Sequence, residues 1–345
     1  MNTGLAVSHD AIVGFWDGTV DPKRPFASMP PDCDPLKSLD PTRRIDLLVA
    51  ELMQRFAVTG DVPKLSGSED FTPGTVEVSA DAKQIFSTTG PELDVIKGQM
   101  KWLRNYADLR FDRISEINRQ LDDIGSFFGA VTRLDASSRQ HTLELLTAIN
   151  RVTYLLEMRA KWYTWTPRPI DLSPNVHPII QTPDHSSFPS GHATEAFALA
   201  TVLERLESSM SAKAAMTAHP MLFRLAHRIA VNRTVAGVHY PIDSEAGAYM
   251  GCMIGEAIWS MLGVPEGGKG KKTCCEKVAE AVCGLVGAPS DDPKVPSWCG
   301  VYKVPTGSPD FLLPKEDPKW QPNAPHDVAP GPITAAYAQA VAGEW

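Results

Sequence analysis

The 345-residue sequence lacks the two patterns that mark export and membrane insertion. No basic segment precedes an apolar run near the N-terminus, so a secretory signal is not predicted. One stretch, residues 246–264, is apolar enough to raise the question of a bilayer crossing, but Glu256 interrupts it and no second comparable run exists. We therefore expect a buried core helix there, no membrane span, and a cytoplasmic protein by default, with a periplasmic or secreted location left open.

Metal-binding cysteine pairs and concentrated positive charge are also missing. The six cysteines include no CxxC pair, which disfavours a zinc site, while their even number leaves disulfides open. A formal net charge of −8 disfavours nucleic acid or an anionic membrane surface as a partner. The cations that carry the interpretation below are few and local.

Helical periodicity is the strongest pattern that the sequence does contain. Apolar residues recur every three or four positions from Ile45 to Phe56 and again from Met100 to Phe128, the second stretch forming one long helix or two consecutive ones. Residues 59–90 lack this pattern and are predicted to be loop with short strands. Further helices are predicted over residues 143–161, 191–208, 221–235 and 241–262. The fold class that follows is an all-α helical bundle.

Proline and glycine divide the chain into three predicted parts. Residues 1–40, rich in proline and aspartate, are expected to form an irregular N-terminal arm, and residues 41–265 the helical domain that holds the candidate site. A glycine-rich break opens the C-terminal extension, residues 266–345, with a short helix near residues 273–285. This extension is expected to pack on the bundle or on another subunit, so a homo-oligomer is one hypothesis.

The segment Pro189-Ser190-Gly191-His192 directly precedes a predicted helix. The free N–H groups of a helix N-terminus bind phosphate-like anions, and Gly191 allows close approach to the backbone. An ordinary N-cap is the alternative role for Ser190, and the two roles are compatible. His192 in isolation is more typical of a surface histidine.

Arg233 lies four residues after Ile229 on the buried face of a predicted helix. A buried arginine needs a carboxylate or a phosphate-like oxygen as its partner, and an internal acid is the alternative to a ligand. His239 is followed by Asp243 in the first turn of the next predicted helix. A carboxylate bonded to one imidazole nitrogen fixes the tautomer and leaves the other nitrogen as a nucleophile or metal ligand.

Two further cations, Lys161 and Arg168, stand upstream, where Pro167 and Pro169 must end a helix. Taken alone, they are typical of cations that stabilise a helix C-terminus. Together with the two later segments they complete a set of cations and imidazoles, which indicates a site for an oxyanion.

These residues resemble, in order and spacing, the signature that vanadium-dependent haloperoxidases share with type 2 phosphatidic acid phosphatases (PAP2). The resemblance implies a helical bundle of the haloperoxidase and acid phosphatase type. It implies that His239 bonds the central atom of a tetrahedral oxyanion and that His192 acts as acid and base on the opposite side. Asn232 departs from the signature, which usually has serine before the arginine, and asparagine can supply a similar donor. The implied oxyanion-binding residues are Lys161, Arg168, Ser190, Gly191 and Arg233.

Both branches use the same signature, so the choice between them depends on weaker features. A vanadium-dependent haloperoxidase is the main expectation, because His185 lies seven residues before His192, where similar bromoperoxidases carry a second histidine. Its cofactor would be vanadate, with His239 as the vanadium ligand, and hydrogen peroxide would oxidise bromide or iodide in preference to chloride. His185, Met158 and Phe188 are the residues predicted to lie near the halide or behind the site, although Met158 stands where an aromatic is common.

The alternative is a soluble acid phosphatase of the PAP2 type, acting on a phosphate ester through a phosphohistidine and needing no cofactor. A non-catalytic anion-binding protein is a third class. It would need the cations but not two imidazoles, so the presence of both His192 and His239 disfavours it.

Overall fold

The computed structural model describes residues 39–66, 70–263 and 332–344. The chain is mostly helical, which confirms the predicted fold class. The α-helices are α1 (Pro41–Met53), α2 (Leu93–Tyr106), α3 (Arg110–Arg119), α4 (Gly125–Phe128), α5 (Gln140–Thr164), α6 (Pro169–Leu172), α7 (Gly191–Ser208), α8 (Ala212–Ala218), α9 (Met221–Ala236), α10 (Pro241–Leu262) and α11 (Pro332–Glu344). The strands are β1 (Phe56–Asp61), β2 (Lys64–Ser66), β3 (Asp70–Thr72), β4 (Thr75–Ala80) and β5 (Lys83–Thr89).

Helix α7 is the centre of the bundle and packs against α5, α9 and α10. Its contact with α10 is close because Gly247, Gly251 and Gly255 face it; a Cβ at any of these positions would clash with the backbone or the threonines of α7. The ridge of small residues therefore permits the close packing that its spacing suggests. The N-termini of α7 and α10, where the predicted site residues lie, are held side by side as a result.

Residues 56–89 form more β structure than the sequence predicted. Strands β1, β4 and β5 make an antiparallel sheet in that order, and β2 pairs with β3. Alternation in β4 buries Val76 and Val78 and exposes Glu77, as a sheet with one covered face requires. The predicted helix through Phe56 was wrong at its end, because α1 stops at Met53 and Phe56 opens β1.

The predicted helical stretch from Met100 to Phe128 is divided into α2, a 3₁₀ turn (Ala107–Leu109), α3 and the short α4. Ile117 and Phe128 are buried as expected, but Ile114 and Leu121 are exposed, so their predicted burial was wrong. The physical reason is that only Ile117 of α3 joins the apolar cluster with α9, and the rest of the contact is polar. Arg113, Glu116 and Gln120, which follows α3 directly, hydrogen-bond side chains of α9.

The C-terminal helix α11 contacts α5. The carboxylate of Glu344 accepts hydrogen bonds from the backbone N–H groups of His141 (2.7 Å) and Thr142 (2.9 Å), at the first turn of α5. Tyr337 donates to Glu144 at 2.7 Å. The division into arm, helical domain and extension stays a prediction, since residues 1–38 and 264–331, with the short helix expected near residues 273–285, lie outside the described residues.

None of the helices in the described ranges has both the length and the apolar character that a bilayer crossing requires. Cys252 lies buried within α10. The other five cysteines lie outside the described residues, so their pairing stays open.

Candidate active site

The structure brings the residues of the predicted signature together at one end of the bundle. Two contacts join segments that are distant in sequence: Arg168 Nη1 lies 3.1 Å from His239 Nε2, and the backbone N–H of Ser190 donates to the carbonyl of Asp243 at 2.8 Å. Lys161 lies in the last turn of α5, Arg168 precedes α6, Ser190, Gly191 and His192 open α7, Arg233 lies in the last turn of α9, and His239 and Asp243 flank the start of α10.

The tautomer of His239 follows from its two neighbours. A guanidinium only donates, so the contact with Arg168 Nη1 makes His239 Nε2 an acceptor without a proton. His239 Nδ1, 3.0 Å from Asp243 Oδ2, must then carry the ring proton and donate it to that carboxylate. Burial, reinforced by Arg168, holds the pKa of His239 well below its usual range. The imidazole is therefore neutral, with an unprotonated Nε2, as a nucleophile requires.

Asp243 is the residue that holds this imidazole. Its Oδ2 accepts from Ser187 Oγ, from the backbone N–H of Tyr240 at 2.9 Å and from His239 Nδ1. Burial raises the pKa of Asp243 to about 6, while the hydrogen bonds from Ser187 and Tyr240 act in the opposite direction. The carboxylate is thus ionised at neutral pH and becomes protonated at mildly acidic pH.

Arg168 forms hydrogen bonds both with residues 238 and 239, before α10, and with residues 185 and 186, before α7. Its guanidinium donates to the carbonyls of Val238 (2.8 Å), His185 (3.0 Å) and Ser186 (3.1 Å) in addition to its contact with His239. Five donors in a planar fork can serve several acceptors at once, which a lysine cannot do. Arg168 therefore fixes the positions of the surrounding loops as well as contributing charge.

The residues predicted to lie near a halide have different surroundings. His185 Nδ1 is 3.2 Å from Arg168 Nη2, and burial, with Lys161 close by, lowers the pKa of His185 to about 4. Phe188 is fully buried in an apolar cluster with Ile96 and Tyr240. Met158 is half-buried in α5. A role for any of them near a halide stays a prediction.

The alternative interpretation of Lys161 was that it stabilises the C-terminus of its own helix. The structure shows its ammonium bonded to a different segment. Its ammonium donates to the carbonyls of Ser186, at 3.3 Å, and Pro189. Burial lowers the pKa of Lys161 to about 8, although Glu157 acts in the opposite direction. Lys161 is therefore a cation at neutral pH, held against the segment that carries Ser190.

Three buried donors in this site have no acceptor. They are Ser190 Oγ, Arg233 Nε and Arg233 Nη1. Ser190 precedes α7 without capping it through its side chain, and within the described ranges Arg233 forms no ion pair with a carboxylate. Buried donors are nearly always paired, so donors left open together indicate where an acceptor is bound. These atoms fit the oxygens of a tetrahedral oxyanion, whether phosphate or vanadate.

The sequence model of the PAP2 superfamily matches residues 142–264, which include every residue of the signature. Residues 142–264 form a PAP2 superfamily domain. The predicted superfamily is thereby confirmed; the haloperoxidase branch is not.

Two curated proteins are similar to part of this chain. Both are named decaprenylphosphoryl-5-phosphoribose phosphatase and come from Mycobacterium tuberculosis, one from strain CDC 1551 / Oshkosh and one from strain ATCC 25618 / H37Rv. Each is 32% identical over 90 residues, which are 26% of this chain and 45% of the relative. The chain therefore spans less than half the length of these relatives, and both relatives are phosphatases.

Gln120 is a site residue that the sequence analysis missed, and it lies outside the PAP2 domain. Its backbone carbonyl accepts from His192 Nε2 at 2.8 Å, and its side-chain Oε1 accepts from Arg233 Nη2 at 3.0 Å. The contact with a carbonyl assigns the proton of neutral His192 to Nε2 and leaves Nδ1 to take up a second proton. Gln120 thus fixes two signature residues. A polar residue three positions after buried Ile117 was the available signal.

Asn232 contacts three side chains of the α3 segment. Its amide donates to Glu116 Oε1 (2.9 Å) and Gln120 Oε1 (3.0 Å), and its oxygen accepts from Arg113 Nη1 (3.0 Å). Asparagine does act as a donor here, as expected, and whether it replaces the serine of the signature in function stays a prediction. Asn232 holds Gln120 in place beside Arg233.

Gln120→Leu is expected to lower kcat/KM about tenfold, because Arg233 and Asn232 both lose an acceptor and Arg233 is free to tilt. Inhibition by inorganic phosphate should weaken in parallel at a temperature well below the Tm. Gln140→Leu, at an exposed position of α5, is the matched control and should change neither constant. A Gln120→Leu variant with a lower Tm but unaltered constants would assign Gln120 a structural role only.

Proposed function

We propose that this protein is a phosphatase that hydrolyses a phosphate ester through a phosphohistidine formed on His239. The single observation that carries the proposal is the tautomer of His239, whose Nε2 is unprotonated and lies beside the guanidinium of Arg168. A buried neutral imidazole with its lone pair among fixed cations is arranged for attack on phosphorus.

In the first step, His239 Nε2 forms a bond to phosphorus while the ester oxygen leaves. The developing charge on the equatorial oxygens is met by Lys161, Arg168 and the open donors of Arg233, together with the hydroxyl of Ser190. His192 protonates the leaving oxygen from Nδ1. Burial and Arg233 hold the pKa of free His192 down to about 3, and the arrival of a dianionic phosphate group reverses that effect of the cations.

In the second step, water attacks phosphorus and the bond to His239 breaks, which releases inorganic phosphate and restores the neutral imidazole. His192, neutral after the first step, accepts the proton of the attacking water. Asp243 stays bonded to Nδ1 of His239 throughout and stabilises the positive charge that the ring carries while phosphorylated. The two steps together convert the ester and water into an alcohol and inorganic phosphate, and every proton and bond is accounted for.

The phosphatase proposal is supported by the relatives, which are named as phosphatases of decaprenylphosphoryl-5-phosphoribose. Because the chain matches less than half of their length, the substrate is proposed only as a phosphate monoester. The same cations and open donors would also hold vanadate on His239. Bound vanadate would activate peroxide for halide oxidation. The comparisons give that activity no support, so phosphatase replaces haloperoxidase as the favoured function.

The proposal is tested by assaying the purified full chain with a chromogenic phosphate ester. We expect turnover with an acid-labile, base-stable phosphoenzyme that mass spectrometry locates on His239. Parallel samples loaded with vanadate and supplied with hydrogen peroxide and bromide should halogenate poorly. Brisk halogenation combined with no ester hydrolysis would reject the proposal in favour of the haloperoxidase.

The rate is expected to depend on pH in a bell shape. The acidic limb follows the deprotonation of Asp243, whose pKa burial raises to about 6, because only the carboxylate holds the proton of His239 Nδ1. The alkaline limb follows Lys161, whose pKa burial lowers to about 8, because the cation is lost as the pH rises. Measuring kcat at saturating substrate, where His192 already carries its second proton, from roughly pH 5 to pH 9 checks both limbs. Lys161→Arg keeps its charge and should move the alkaline limb upward; an unmoved limb would assign it to another group.

A further inference from the structure

Glu157 is a buried acid in the site that neither the signature nor the proposed steps use. It is 4% exposed and lies one helical turn before Lys161 on α5. Its carboxyl group rests against the first residue of α7, so closely that a Cβ on Gly191 would clash with it. Glu157 Oε2 is buried without a hydrogen-bond partner.

The spacing of Glu157 and Lys161 would ordinarily produce an ion pair along the helix. The structure uses Lys161 differently, because its ammonium donates to the carbonyls of Ser186 and Pro189. The carboxyl group of Glu157 is therefore left beside Gly191 at the start of α7, next in sequence to Ser190 with its open donor. In the described part of the chain no lysine or arginine forms a direct ion pair with Glu157, and a buried acid without such a pair is costly to ionise.

The charged groups around Glu157 come from several elements. Glu195 of α7 opposes its ionisation, while Lys161 of α5 and Arg168 before α6 favour it. Farther away, Arg233 of α9 acts on Glu195, and Asp243 of α10 acts on Lys161. Burial is the largest influence and raises the pKa of Glu157 well above its usual range. The neutral acid is therefore the favoured form.

We propose that Glu157 is a ligand of the bound oxyanion, and that its neutral carboxyl group donates a hydrogen bond to an oxygen of the phosphate held at the N-terminus of α7. The proposal rests on the proposed function, whose substrate carries that phosphate group. A neutral carboxyl group has an O–H donor, whereas a carboxylate has only acceptors and would repel a dianion. Glu157 thus adds a donor from α5 to those of Ser190 and Arg233.

This role makes phosphate binding depend on a proton. Below the pKa of Glu157 the donor is present and binding needs no proton from solvent. Above that pKa, each bound phosphate requires Glu157 to take up one proton, so affinity falls about tenfold per pH unit from this group alone. The site would then bind phosphate groups best in the acidic to neutral range.

The test uses the full chain and inorganic phosphate as the probe, with calorimetry as the readout. Glu157→Gln keeps a neutral donor of the same shape and should bind phosphate within about threefold of the unaltered protein at roughly pH 5.5. Glu157→Leu removes the donor and should weaken binding about tenfold or more. A Glu157→Leu variant that binds phosphate as tightly as the unaltered protein, or more tightly, would overturn the proposal.

A second measurement covers the case in which Glu157→Leu does not fold. In the phosphate complex of the unaltered protein, infrared spectroscopy should detect a protonated carboxyl band that Glu157→Gln lacks. Glu245→Gln is the matched control, because burial raises the pKa of Glu245 to about 8 on a different helix, α10. This control should leave phosphate affinity unchanged. Absence of a Glu157-dependent band would overturn the proposal.

The two proposals fail in distinguishable ways. Phosphate binding that depends on Glu157, without any ester hydrolysis, would remove the phosphatase function and leave the role of Glu157 standing. Ester hydrolysis combined with unaltered phosphate binding in both Glu157 variants would support the phosphatase function and reject the role of Glu157. No binding of inorganic phosphate at millimolar concentration by the unaltered protein would reject the role of Glu157, and ester hydrolysis alone would then decide the phosphatase function.

Discussion

His239→Gln is expected to lower kcat for ester hydrolysis by roughly four orders of magnitude, with no phosphoenzyme formed. The amide of glutamine has no nucleophilic lone pair of comparable strength, whereas its size allows it to remain near Asp243 and Arg168. The dissociation constant for inorganic phosphate should change by no more than about tenfold, because Lys161, Arg168 and Arg233 are unchanged. Steady-state kinetics and intact-protein mass spectrometry after an acid-free quench measure the two effects.

His177→Asn is the matched control for this variant. His177 is exposed and adopts a left-handed backbone conformation (φ 44°), which asparagine tolerates well. Its kcat should equal that of the unaltered protein. If His239→Gln retains a phosphoenzyme, the nucleophile is another residue and the proposed mechanism is wrong.

Arg233→Met is expected to lower kcat/KM about a thousandfold while leaving the free energy of unfolding unchanged or raising it. The side chain is 1% exposed and two of its donors have no acceptor, so the free protein bears the cost of an incompletely paired buried cation. Burial accordingly lowers the pKa of Arg233 to about 10. Methionine fills similar space without that cost, but it offers no donor to a phosphate oxygen.

Opposite signs for function and stability distinguish a ligand-binding arginine from a structural one. Chemical denaturation without phosphate gives the stability, and calorimetry with inorganic phosphate gives the affinity. Arg224→Met, on an exposed position of the same helix α9, should leave kcat/KM unaltered. A marked loss of stability in Arg233→Met would mean that Gln120 and Ile117, the acceptors that Arg233 does have, are the reason for its burial.

The elements around the site could be predicted well because their ends are marked by local chemistry. Helices α7 and α10 have the predicted bounds, since Ser190-Gly191 and Pro241 suit helix starts and Gly263 suits a helix end. The pairing of His239 with Asp243 follows from short sequence separation. In each case the information lies within a few residues.

The parts that escaped prediction depend on tertiary contacts. Gln120 serves the site only because α3 lies across α9, which no periodicity reveals. Glu157 has the spacing of a surface ion pair with Lys161. The pair does not form because the ammonium of Lys161 donates instead to the carbonyls of residues 186 and 189. Strands β2 and β3 have only three residues each, and burial alternates along the whole strand only in β4.

The glycines of α10 have a consequence for how the candidate site tolerates substitutions. Gly247 and Gly251 lie directly against the carbonyls of Ser190 and Thr194, so main-chain contacts largely set the separation between the start of α7 and the helix that begins beside His239. Substitutions elsewhere in the bundle are expected to leave that separation unchanged. Substitutions on the outer faces of the helices are therefore expected to leave the spacing of the candidate site residues unchanged.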